Sequence, residues 1–484
     1  MNATTSAPSG PSGIEAKGIE YISPAERRGR PSGLFWMWAG GVWNVEFLVY
    51  GTLIVAIFGL SFAQAVGVII VGNLFYLLTG LASLQGPLAG TTTFGVSRAP
   101  FGPRGNRVPS LFNWITQVGF EIEGIAFVVL SVVALLAKGG ISAGDGLKAV
   151  LIIAAVLVQA MLPFVGHAAM LKVLRWLTYP FIVLFGIMLV ITVGKAHLSE
   201  ISHGAGWGSL AVALALVISA GGLGWTENGN DYSRYLRADS KKSSIVFAVA
   251  LGGGIPSALL EILGAAVATI VPISHAGGIA TITGLATVFP SWFVWPYLIV
   301  GIFQLFAINS IDLYSSGVTL QSLGLHLKRY HCVMIDTVVA GGFTFYAIYS
   351  SRFSTLLADF LLFIIVWLAP WCGIYLVDYL LRRGRYDHVS LQDEHGGRYW
   401  RSGGIHWPGI IAQTIGMVAS ALWLNAYSPY VSWLSTHVGG SDFSVFMGLF
   451  FGAGSYYVLA SRSVGKEQAD LPDSSVIPTE NTYV

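Results

Sequence analysis

The sequence predicts an all-α polytopic membrane protein with twelve transmembrane helices, and three observations support this fold class. Hydrophobic residues make up 54% of the 484 residues and charged residues only 10%, whereas a soluble protein carries about 25% charged residues. Apolar stretches long enough to cross a bilayer recur along the chain, and lysine and arginine are unevenly distributed between them. This composition excludes a water-soluble globule, a disordered chain and a nucleic-acid-binding protein, all of which keep charge in water.

Each predicted span is an apolar stretch of about 20 residues, the length that an α-helix needs to cross the hydrocarbon core. Polar residues lie in the middle of spans 3, 6 and 8, so these helices are the least regular in composition. Numbered in chain order, the twelve spans lie near residues 34–58, 62–84, 110–137, 148–166, 173–194, 208–230, 245–272, 292–322, 332–350, 354–380, 405–425 and 443–461.

The distribution of lysine and arginine over the connecting segments predicts the orientation of the chain. With the N-terminus inside, all but four of the 26 basic residues fall on the cytoplasmic side, as the positive-inside rule requires. We therefore expect a multi-pass protein of the plasma (inner) membrane with cytoplasmic tails at residues 1–33 and 462–484. The basic residues left on the outer side are Lys138, Lys148, Lys195 and Arg352.

The sequence lacks the residues that several classes of chemistry require. The two cysteines, Cys332 and Cys372, lie in or beside apolar runs, so neither a disulfide framework nor a thiolate metal site is expected. The longest internal loops, near residues 85–109, 273–291 and 381–404, contain no GxxxxGK[ST] phosphate loop and no HExxH pair. The sequence therefore predicts no enzyme, no metal and no cofactor, and it favours transport driven by an ion gradient.

Two spans carry a glycine pair followed by polar residues, which is the pattern of a broken transmembrane helix. In span 1, Gly40 and Gly41 precede the segment VWNVE. In span 6, Gly221 and Gly222 precede the segment LGWTENGN. Interrupted helices five spans apart are typical of transporters built from inverted repeats. The predicted organisation is a first repeat at 34–195 (spans 1–5), a second repeat at 208–380 (spans 6–10) and two extra helices at 405–461.

Ionisable residues inside a membrane are costly unless they are paired, hydrated or protonated. Glu46, Glu227 and Asp312 lie in or beside the predicted interruptions and polar runs, so they are candidates for binding a coupling ion. Glu121 of span 3 points towards a neighbouring helix. One face of span 3, which does not include Glu121, carries Gln117, Phe120, Glu123, Gly124 and Phe127.

Four short motifs are specific enough for comparison with known families. The most specific is WTENGNDYSRY at 225–235, at the inner end of span 6. The others are TQVGF at 116–120, NSIDLYSSG at 309–317, and the pattern of Pro370, Gly373, Asp378, Tyr379, Arg382, Arg383 and Tyr386 that leaves span 10. Together they resemble the nucleobase:cation symporter-1 family, and within it the cytosine and purine permease group. The resemblance covers residues 34 to about 460 and implies the LeuT-type fold, with its five-plus-five inverted repeat.

The resemblance also implies a site for a flat heterocycle at mid-membrane, between spans 1, 3, 6, 8 and 10. Phe120 matches an aromatic residue that stacks on the substrate ring, and Asn309 matches a substrate-binding asparagine. Gly124 stands where some members carry an amide, and the segment 222–225 matches unwound backbone that faces the ligand. The expected substrate-binding residues are Gln117, Phe120, Glu123, Gly124, Gly222, Gly224, Trp225 and Asn309.

The chain departs from the family pattern beside the span 8 asparagine. Sodium-using members carry hydroxyl residues there, whereas Ala307 and Ile308 precede Asn309 in this sequence, which leaves fewer oxygens for a hard cation. We therefore expect H+ rather than Na+ as the coupling ion, since a carboxylate withdrawn from water can bind a proton at ordinary pH. The candidate carriers are Glu46, Glu227 and Asp312, with Glu123 as a further possibility, and all four can equally accept hydrogen bonds from an exocyclic amine.

Asp231 and Arg234 of the DYSRY motif have a different expected role. They lie at the cytoplasmic end of span 6, where an acid and a base three residues apart suit a cytoplasmic gate or a structural pair better than a substrate site.

The sequence as a whole predicts a secondary transporter that imports a purine or cytosine by alternating access with a cation. The expected partners are a small heterocyclic substrate, the coupling cation and the lipid bilayer, without nucleic acid. Within the same family, allantoin or hydantoin, uracil and thiamine-like compounds remain alternative substrates. An amino-acid transporter of the same fold is another alternative, but Glu46 and Glu227 would repel the α-carboxylate of its substrate.

Overall fold

The computed structural model describes residues 18–161, 167–196, 204–271, 288–325, 329–350, 353–426 and 429–473, together with residues 282, 284, 327 and 476. Within these residues, eight helices are long and apolar enough to cross a membrane, and a bent pair in span 1 raises the number to nine. Shorter helices coincide with the predicted spans 4, 6 and 11. A helix therefore occupies each of the twelve predicted spans.

Most spans are single helices, whereas spans 1, 2, 6 and 10 are divided. In chain order the helices are Pro31–Val42 and Val45–Ala56 (span 1), Phe62–Asn73, Tyr76–Ala82 and Gln85–Ala89 (span 2), Arg107–Lys138 (span 3), Asp145–Met161 (span 4), His167–Val193 (span 5), Trp207–Ala220 and Gly229–Ser233 (span 6), Lys242–Val267 (span 7), Ser291–Ser322 (span 8), Arg329–Tyr349 (span 9), Phe353–Phe363 and Ile365–Arg382 (span 10), Trp407–Ala421 (span 11) and Ser444–Ala469 (span 12).

Corresponding helices of the two predicted repeats pack against each other. Spans 3 and 8 are both 32 residues long and lie along each other. Span 2 packs on span 7, and span 4 packs on span 9. Small residues allow the closest approaches between helices, as is typical within membranes. At Gly51 in span 1, an added Cβ would lie 2.0 Å from the carbonyl oxygen of Glu261 in span 7.

Span 1 is bent by 58° between its two helices. The glycine pair Gly40 and Gly41 does not itself break the helix, which continues to Val42. The break falls at Asn44, whose side-chain oxygen accepts a hydrogen bond from the backbone N–H of Glu46 at 2.8 Å and so caps the second helix. Gly41 instead permits close packing on span 8, since an added Cβ would lie 2.9 Å from Ile308.

Span 6 is interrupted directly at its glycine pair. The first helix ends at Ala220, and the chain becomes helical again only at a short 3-10 turn, Thr226–Asn228. Gly222 lies so close to span 2 that an added Cβ would be 2.1 Å from the backbone of Phe75. Only glycine fits this contact, which places the unwound segment at a fixed distance from span 2.

Contacts between arginine side chains and distant backbone carbonyls collect four segments on one side of the molecule. Arg27 of the N-terminal segment donates to the carbonyl of Pro87 at 2.6 Å. Arg98, after span 2, donates to the carbonyl of Leu391, after span 10, at 2.9 Å. Arg401 forms an ion pair with Glu467 at the end of span 12. The ion pair of Glu467 stabilises the last part of span 12, which remains helical to Ala469, beyond the apolar stretch that ends near residue 461.

The ion pair between Arg382 and Asp378 gives a testable prediction about stability. Both side chains are fully buried, and Asp378 accepts hydrogen bonds from Arg382 at 2.8 Å and from the Tyr456 hydroxyl at 2.7 Å. Removing one partner of a buried pair typically costs about 3–5 kcal/mol, because the other charge is left uncompensated. We expect Asp378→Ala to lower the melting temperature of the purified protein by several degrees in a fluorescence thermal-unfolding assay.

The matched control is Asp239→Ala, which removes an exposed ion pair with Arg237 on the same side of the molecule. Exposed pairs contribute little to stability, so this variant should melt at the temperature of the unaltered protein. Equal melting temperatures for the Asp378 and Asp239 variants would contradict the structural role of Asp378.

Candidate substrate site

The predicted substrate-binding residues lie in two neighbouring groups along span 3. The first group joins Gln117 and Phe120 of span 3 to the interrupted part of span 6. The second joins Gly124 of span 3 to Asn309 of span 8. Gly222 lies outside both groups, because its carbonyl oxygen accepts a hydrogen bond from Thr79 of span 2. At Gly224 an added Cβ would lie 2.0 Å from the carbonyl oxygen of Ser219, so the unwound segment packs closely against the end of the preceding helix here.

Two aromatic rings face each other across the first group. Phe120 and Trp225 are nearly parallel, with an interplanar angle of 14° and centroids 6.3 Å apart. The stacked pair Trp371 and Tyr375 in span 10 is closer, with centroids 4.8 Å apart. Trp38 of span 1 packs edge-on against Trp225 at 5.6 Å. The interrupted spans 1 and 6 and the scaffold span 3 therefore converge on one pair of flat apolar faces, which suits a planar ligand.

Polar groups surround this aromatic pair. The side-chain amide nitrogen of Gln117 donates to Glu227 at 3.2 Å and to Asn228 at 3.1 Å. All three side chains are almost completely buried. The side-chain oxygen of Gln117 and the second carboxylate oxygen of Glu227 accept no hydrogen bond from the described residues. Leaving a buried oxygen without a hydrogen bond costs about 1–3 kcal/mol. A ligand whose N–H groups donate to these oxygens would remove this penalty.

Asn309 presents an oxygen rather than a nitrogen. Its amide nitrogen donates to the backbone carbonyl of Glu121 at 3.2 Å and to Gln159 of span 4 at 2.6 Å. A carbonyl can only accept, so these contacts fix the orientation of the amide. The Asn309 oxygen has no partner among the described residues. It occupies the space beside Gly124, where an added Cβ would lie 2.1 Å away.

The acids predicted to bind the coupling ion form a cluster with Glu123. The Tyr50 hydroxyl of span 1 donates to Glu123 at 2.6 Å, and Glu46 lies one helical turn before Tyr50. Electrostatic repulsion links Glu46 to Glu123 and to Asp312. No ion pair between described residues includes any of these carboxylates. The cluster therefore holds several acids without a basic partner in the described part of the chain.

A second buried pair of acids lies on the opposite side of span 3. The Ser316 hydroxyl is 2.8 Å from Glu121 and 2.9 Å from Asp336 of span 9, and the Trp114 indole N–H also donates to Asp336. This contact agrees with the expectation that Glu121 faces a neighbouring helix. Asp336 did not stand out in the sequence because it lies only a few residues inside span 9.

Asp231 and Arg234 bind different partners in the described residues. Asp231 accepts a hydrogen bond from the backbone N–H of Thr93 at 2.9 Å. Arg234 donates to the carbonyl of Gly18 at 2.7 Å and to the Tyr314 hydroxyl of span 8 at 2.6 Å. The C-terminal end of span 6 is thus tied to three other segments. This geometry suits either of the predicted roles, a gate or a structural anchor.

Several side chains of the site were not identified from the sequence. Trp38, Tyr50 and Gln159 contact predicted site residues directly. Gln159 is an amide within an apolar span, which is a signal that the sequence does contain. Trp38 and Tyr50 carry no comparable signal, because aromatic residues are frequent throughout the spans. No group of three or more His, Cys, Asp or Glu side chains that are described is arranged to hold a metal ion.

The contact between Gly124 and Asn309 gives a second prediction. Gly124→Ala introduces a methyl group into the space of the Asn309 amide, so this side chain must move away from Gln159. We expect the variant to bind the transported substrate at least tenfold more weakly, a change of about 1.4 kcal/mol, in a titration of purified protein.

Gly301→Ala is the control for this variant. Gly301 lies in the same span as Asn309, and an added Cβ would meet no atom within 4 Å. Normal binding by both variants would show that the position of Asn309 does not matter for the substrate.

A bundle with interrupted spans 1 and 6 around a buried aromatic and polar site has the architecture of a membrane transporter. The family model for permeases of cytosine/purines, uracil, thiamine and allantoin matches residues 21–457. The chain belongs to this family, which confirms the expected nucleobase:cation symporter-1 membership. The family consists of permeases rather than enzymes, so the predicted absence of enzymatic activity is also supported.

Individual relatives agree with this assignment. The chain is 28% identical to the putative purine-cytosine permease YxlA of Bacillus subtilis over 94% of this chain and 97% of the relative. It is 26% identical to the purine-cytosine permease fcyB of Emericella nidulans over 92% and 88% of the two chains. The solved structure of MHP1, a nucleobase-cation-symport-1 family transporter in a closed conformation with bromovinylhydantoin bound, matches with a TM-score of 0.72 at 17% identity, covering 96% of this chain and 98% of MHP1. This likeness confirms the predicted fold class.

Proposed function

We propose that the protein imports a purine or cytosine together with a proton. The observation that carries this proposal is the parallel pair Phe120 and Trp225, with the buried oxygens of Gln117 and Glu227 close to them in the same two spans and without partners in the described structure. A flat nucleobase would separate the two rings and bury both of its faces against them. The names of the relatives, purine-cytosine permeases of a bacterium and a fungus, support the same class of substrate.

The oxygens at the site favour a base that carries an amino group. Four buried side-chain oxygens, two of them from carboxyl groups, can accept hydrogen bonds from a ligand. The buried donors in this region without a partner in the described structure are neutral, namely the indole N–H groups of Trp38 and Trp225 and the amide groups of Gln159 and Asn228. Cytosine, adenine and guanine each offer an exocyclic amine to such acceptors, and carboxylates pair well with that of cytosine. A site rich in acceptors rejects analogues that lack the donors, because its buried oxygens stay unpaired. The acceptors belong to Gln117, Glu123, Glu227 and Asn309.

The contact between spans 1 and 8 supports a proton as the coupling ion. The carbonyl of Gly40 accepts a hydrogen bond from the Gln304 amide, and that of Gly41 accepts one from Asn44 at 2.9 Å. These backbone oxygens are already engaged by amides. Isoleucine side chains 308 and 311 pack against Gly41, so this contact offers few oxygens to a sodium ion. The acid cluster of Glu46, Glu123 and Asp312 offers carboxylates that can exchange a proton instead.

The proposed setting is the plasma (inner) membrane with both termini in the cytoplasm. The side of the molecule that collects Arg27, Arg98, Arg382 and Arg401 is then the cytoplasmic side. This orientation follows the positive-inside rule.

A cationic, thiamine-like heterocycle is the second candidate substrate. The observation that favours it is the group of four acids, Glu46, Glu123, Glu227 and Asp312, which has no arginine or lysine partner in the described structure. A positive charge on the substrate would compensate part of this negative charge.

A binding screen with the purified protein tests the substrate class. Adenine, guanine, hypoxanthine, cytosine, uracil, allantoin, hydantoins, thiamine and amino acids are compared by thermal shift. A ligand at 100 times its dissociation constant stabilises the protein by about 2.7 kcal/mol. We expect the largest shift with an amino-bearing base, followed by uptake into proteoliposomes that needs a pH gradient and no sodium. A shift with thiamine alone would replace the proposed substrate, and uptake that requires sodium would contradict proton coupling.

A further inference from the structure

A cavity of about 610 Å³ opens between the beginning of span 1 and the beginning of span 5. It is separate from the candidate substrate site. Two basic residues of span 5, Lys172 and Arg175, line it, and so do the aromatic side chains Trp36, Trp176 and Tyr179. At Gly33, on the span 1 side, an added Cβ would meet no atom within 4 Å.

The charge of this cavity is positive and uncompensated in the described structure. None of its lining residues is acidic. Neither Lys172 nor Arg175 takes part in an ion pair between described residues. The Arg175 guanidinium lies over the ring of Trp36, 5.8 Å from its centroid, and this contact holds the cation at the cavity. A phosphate group is the natural partner, because arginine and lysine both bind it strongly.

The aromatic residues indicate that the phosphate belongs to a lipid. Trp176 is 65% exposed and Tyr179 is 42% exposed on the outer surface of the helix bundle. Tryptophan and tyrosine are enriched where transmembrane helices meet the membrane–water interface. Basic pockets between helices on the cytoplasmic side are suited to anionic lipid head groups. The cavity thus places cations at the level of the head groups and apolar surface beside the acyl chains.

We propose that this cavity binds the head group of an anionic phospholipid and so holds the first helix of span 1 against span 5. Trp36 and Tyr179 already touch across these spans, with centroids 6.1 Å apart. Trp38, two residues further along span 1, packs on Trp225 of the candidate substrate site. A lipid in the cavity therefore acts on the helix that closes one side of that site.

Lipid-dependent stability of the purified full-length protein tests this proposal. Phosphatidylglycerol and phosphatidylcholine are added at equal concentration, and melting temperatures and retained lipids are measured by thermal unfolding and native mass spectrometry. We expect phosphatidylglycerol to raise the melting temperature several degrees more than phosphatidylcholine does. In the double variant Lys172→Gln with Arg175→Gln, the apparent affinity for phosphatidylglycerol should fall at least threefold. Equal effects of the two lipids on the unaltered protein would overturn the proposal.

The control variant combines Arg462→Gln with Lys466→Gln, which removes two exposed charges from the end of span 12 on the same side of the molecule. It should respond to phosphatidylglycerol like the unaltered protein, and an equal loss of response would mean that general surface charge explains the effect. If the double variant of the cavity does not fold, Lys172→Gln alone provides the same comparison. Inorganic phosphate and glycerol 3-phosphate distinguish the source of the phosphate, since stabilisation by either that equals that of the lipid would overturn the choice of a lipid ligand. Lipid binding is measured without substrate, so it can fail while the proposed transport activity holds.

Discussion

Phe120→Ala is expected to weaken binding of the proposed nucleobase substrate by about fivefold or more while leaving the protein folded. Phe120 supplies one of the two parallel faces at the site, opposite Trp225. Stacking of a base on an aromatic side chain is worth about 1–3 kcal/mol, which corresponds to a factor of about 5 to 150 in the dissociation constant. Phe120 is only half-buried and packs edge-on against Phe360 at 5.2 Å. Its loss therefore affects the site more than the scaffold.

The chain offers a closely matched control in the same helix. Phe112 is also a half-buried phenylalanine of span 3, and its ring stacks on a tryptophan, Trp367, with an interplanar angle of 15° and centroids 6.2 Å apart. It lies more than two helical turns from Phe120. Phe112→Ala should change stability by a similar amount but leave the dissociation constant unchanged. Phe120→Tyr should retain binding, because it keeps the aromatic face.

Titration of each purified variant with the best ligand of the thermal-shift screen measures these differences. Tight binding by the Phe120→Ala variant would remove Phe120 from the stacking role. The aromatic pair would then be a packing contact between spans 3 and 6, and the substrate would have to lie elsewhere.

The fold was predictable from the sequence because it depends on composition over long stretches. A membrane-spanning helix needs about 20 apolar residues, so each predicted span could be recognised without knowledge of its neighbours. Span ends were less predictable, since they depend on specific contacts. Span 12 continues past its apolar stretch, where Glu467 pairs with Arg382 at the end of span 10 and with Arg401 of the following segment.

The break in span 1 shows why a glycine pair is an incomplete signal. Gly221 breaks span 6 directly, but Gly41 stays helical and serves close packing on Ile308. The break falls instead at Asn44, whose side chain caps the following helix. Both glycine pairs look alike in the sequence. The difference depends on which helix lies opposite, and that is a property of the tertiary structure.

The candidate site was predictable where residues share one helical face and less so where spans meet. Gln117, Phe120 and Gly124 could be grouped from the period of span 3 alone. The residues that contact the site from other spans could not be identified in this way, because Tyr50, Gln159 and Asn228 lie in three different spans and bind Glu123, Asn309 and Gln117 respectively. The orientation of Asn309 also depends on those partners. Its amide nitrogen donates to Glu121 and Gln159, so only its oxygen is available to a ligand. No sequence motif indicates this orientation.

Asp312→Asn is expected to preserve substrate binding but to remove the dependence of uptake on the pH gradient. Asp312 is 3% exposed, and its Oδ1 atom accepts no hydrogen bond from the described residues. Its carboxylate interacts repulsively with that of Glu46. Two neighbouring buried carboxylates without a basic partner are stabilised when one of them holds a proton. Asparagine keeps the size of the side chain but cannot exchange a proton, so a coupling step that depends on Asp312 is lost.

Uptake into proteoliposomes over a range of external pH measures this effect. In the unaltered protein, a proton symporter should take up more substrate as the outside becomes more acidic than the inside. The Asp312→Asn variant should bind substrate within about threefold of the unaltered affinity, a change of less than 1 kcal/mol. Its uptake should nevertheless show little dependence on the pH gradient.

Glu261→Gln is the control that makes this comparison informative. Glu261 is an equally buried acid of span 7, but it accepts a hydrogen bond from Asn73 at 2.6 Å and lies outside the acid cluster. Its replacement should leave the pH dependence of uptake intact, since no substrate-site residue contacts its side chain in the described structure. An unaltered pH profile in the Asp312→Asn variant would assign the coupled proton to Glu46, Glu123 or Glu227. The corresponding amide variants would then identify the carrier, because only one of them should flatten the profile without abolishing binding.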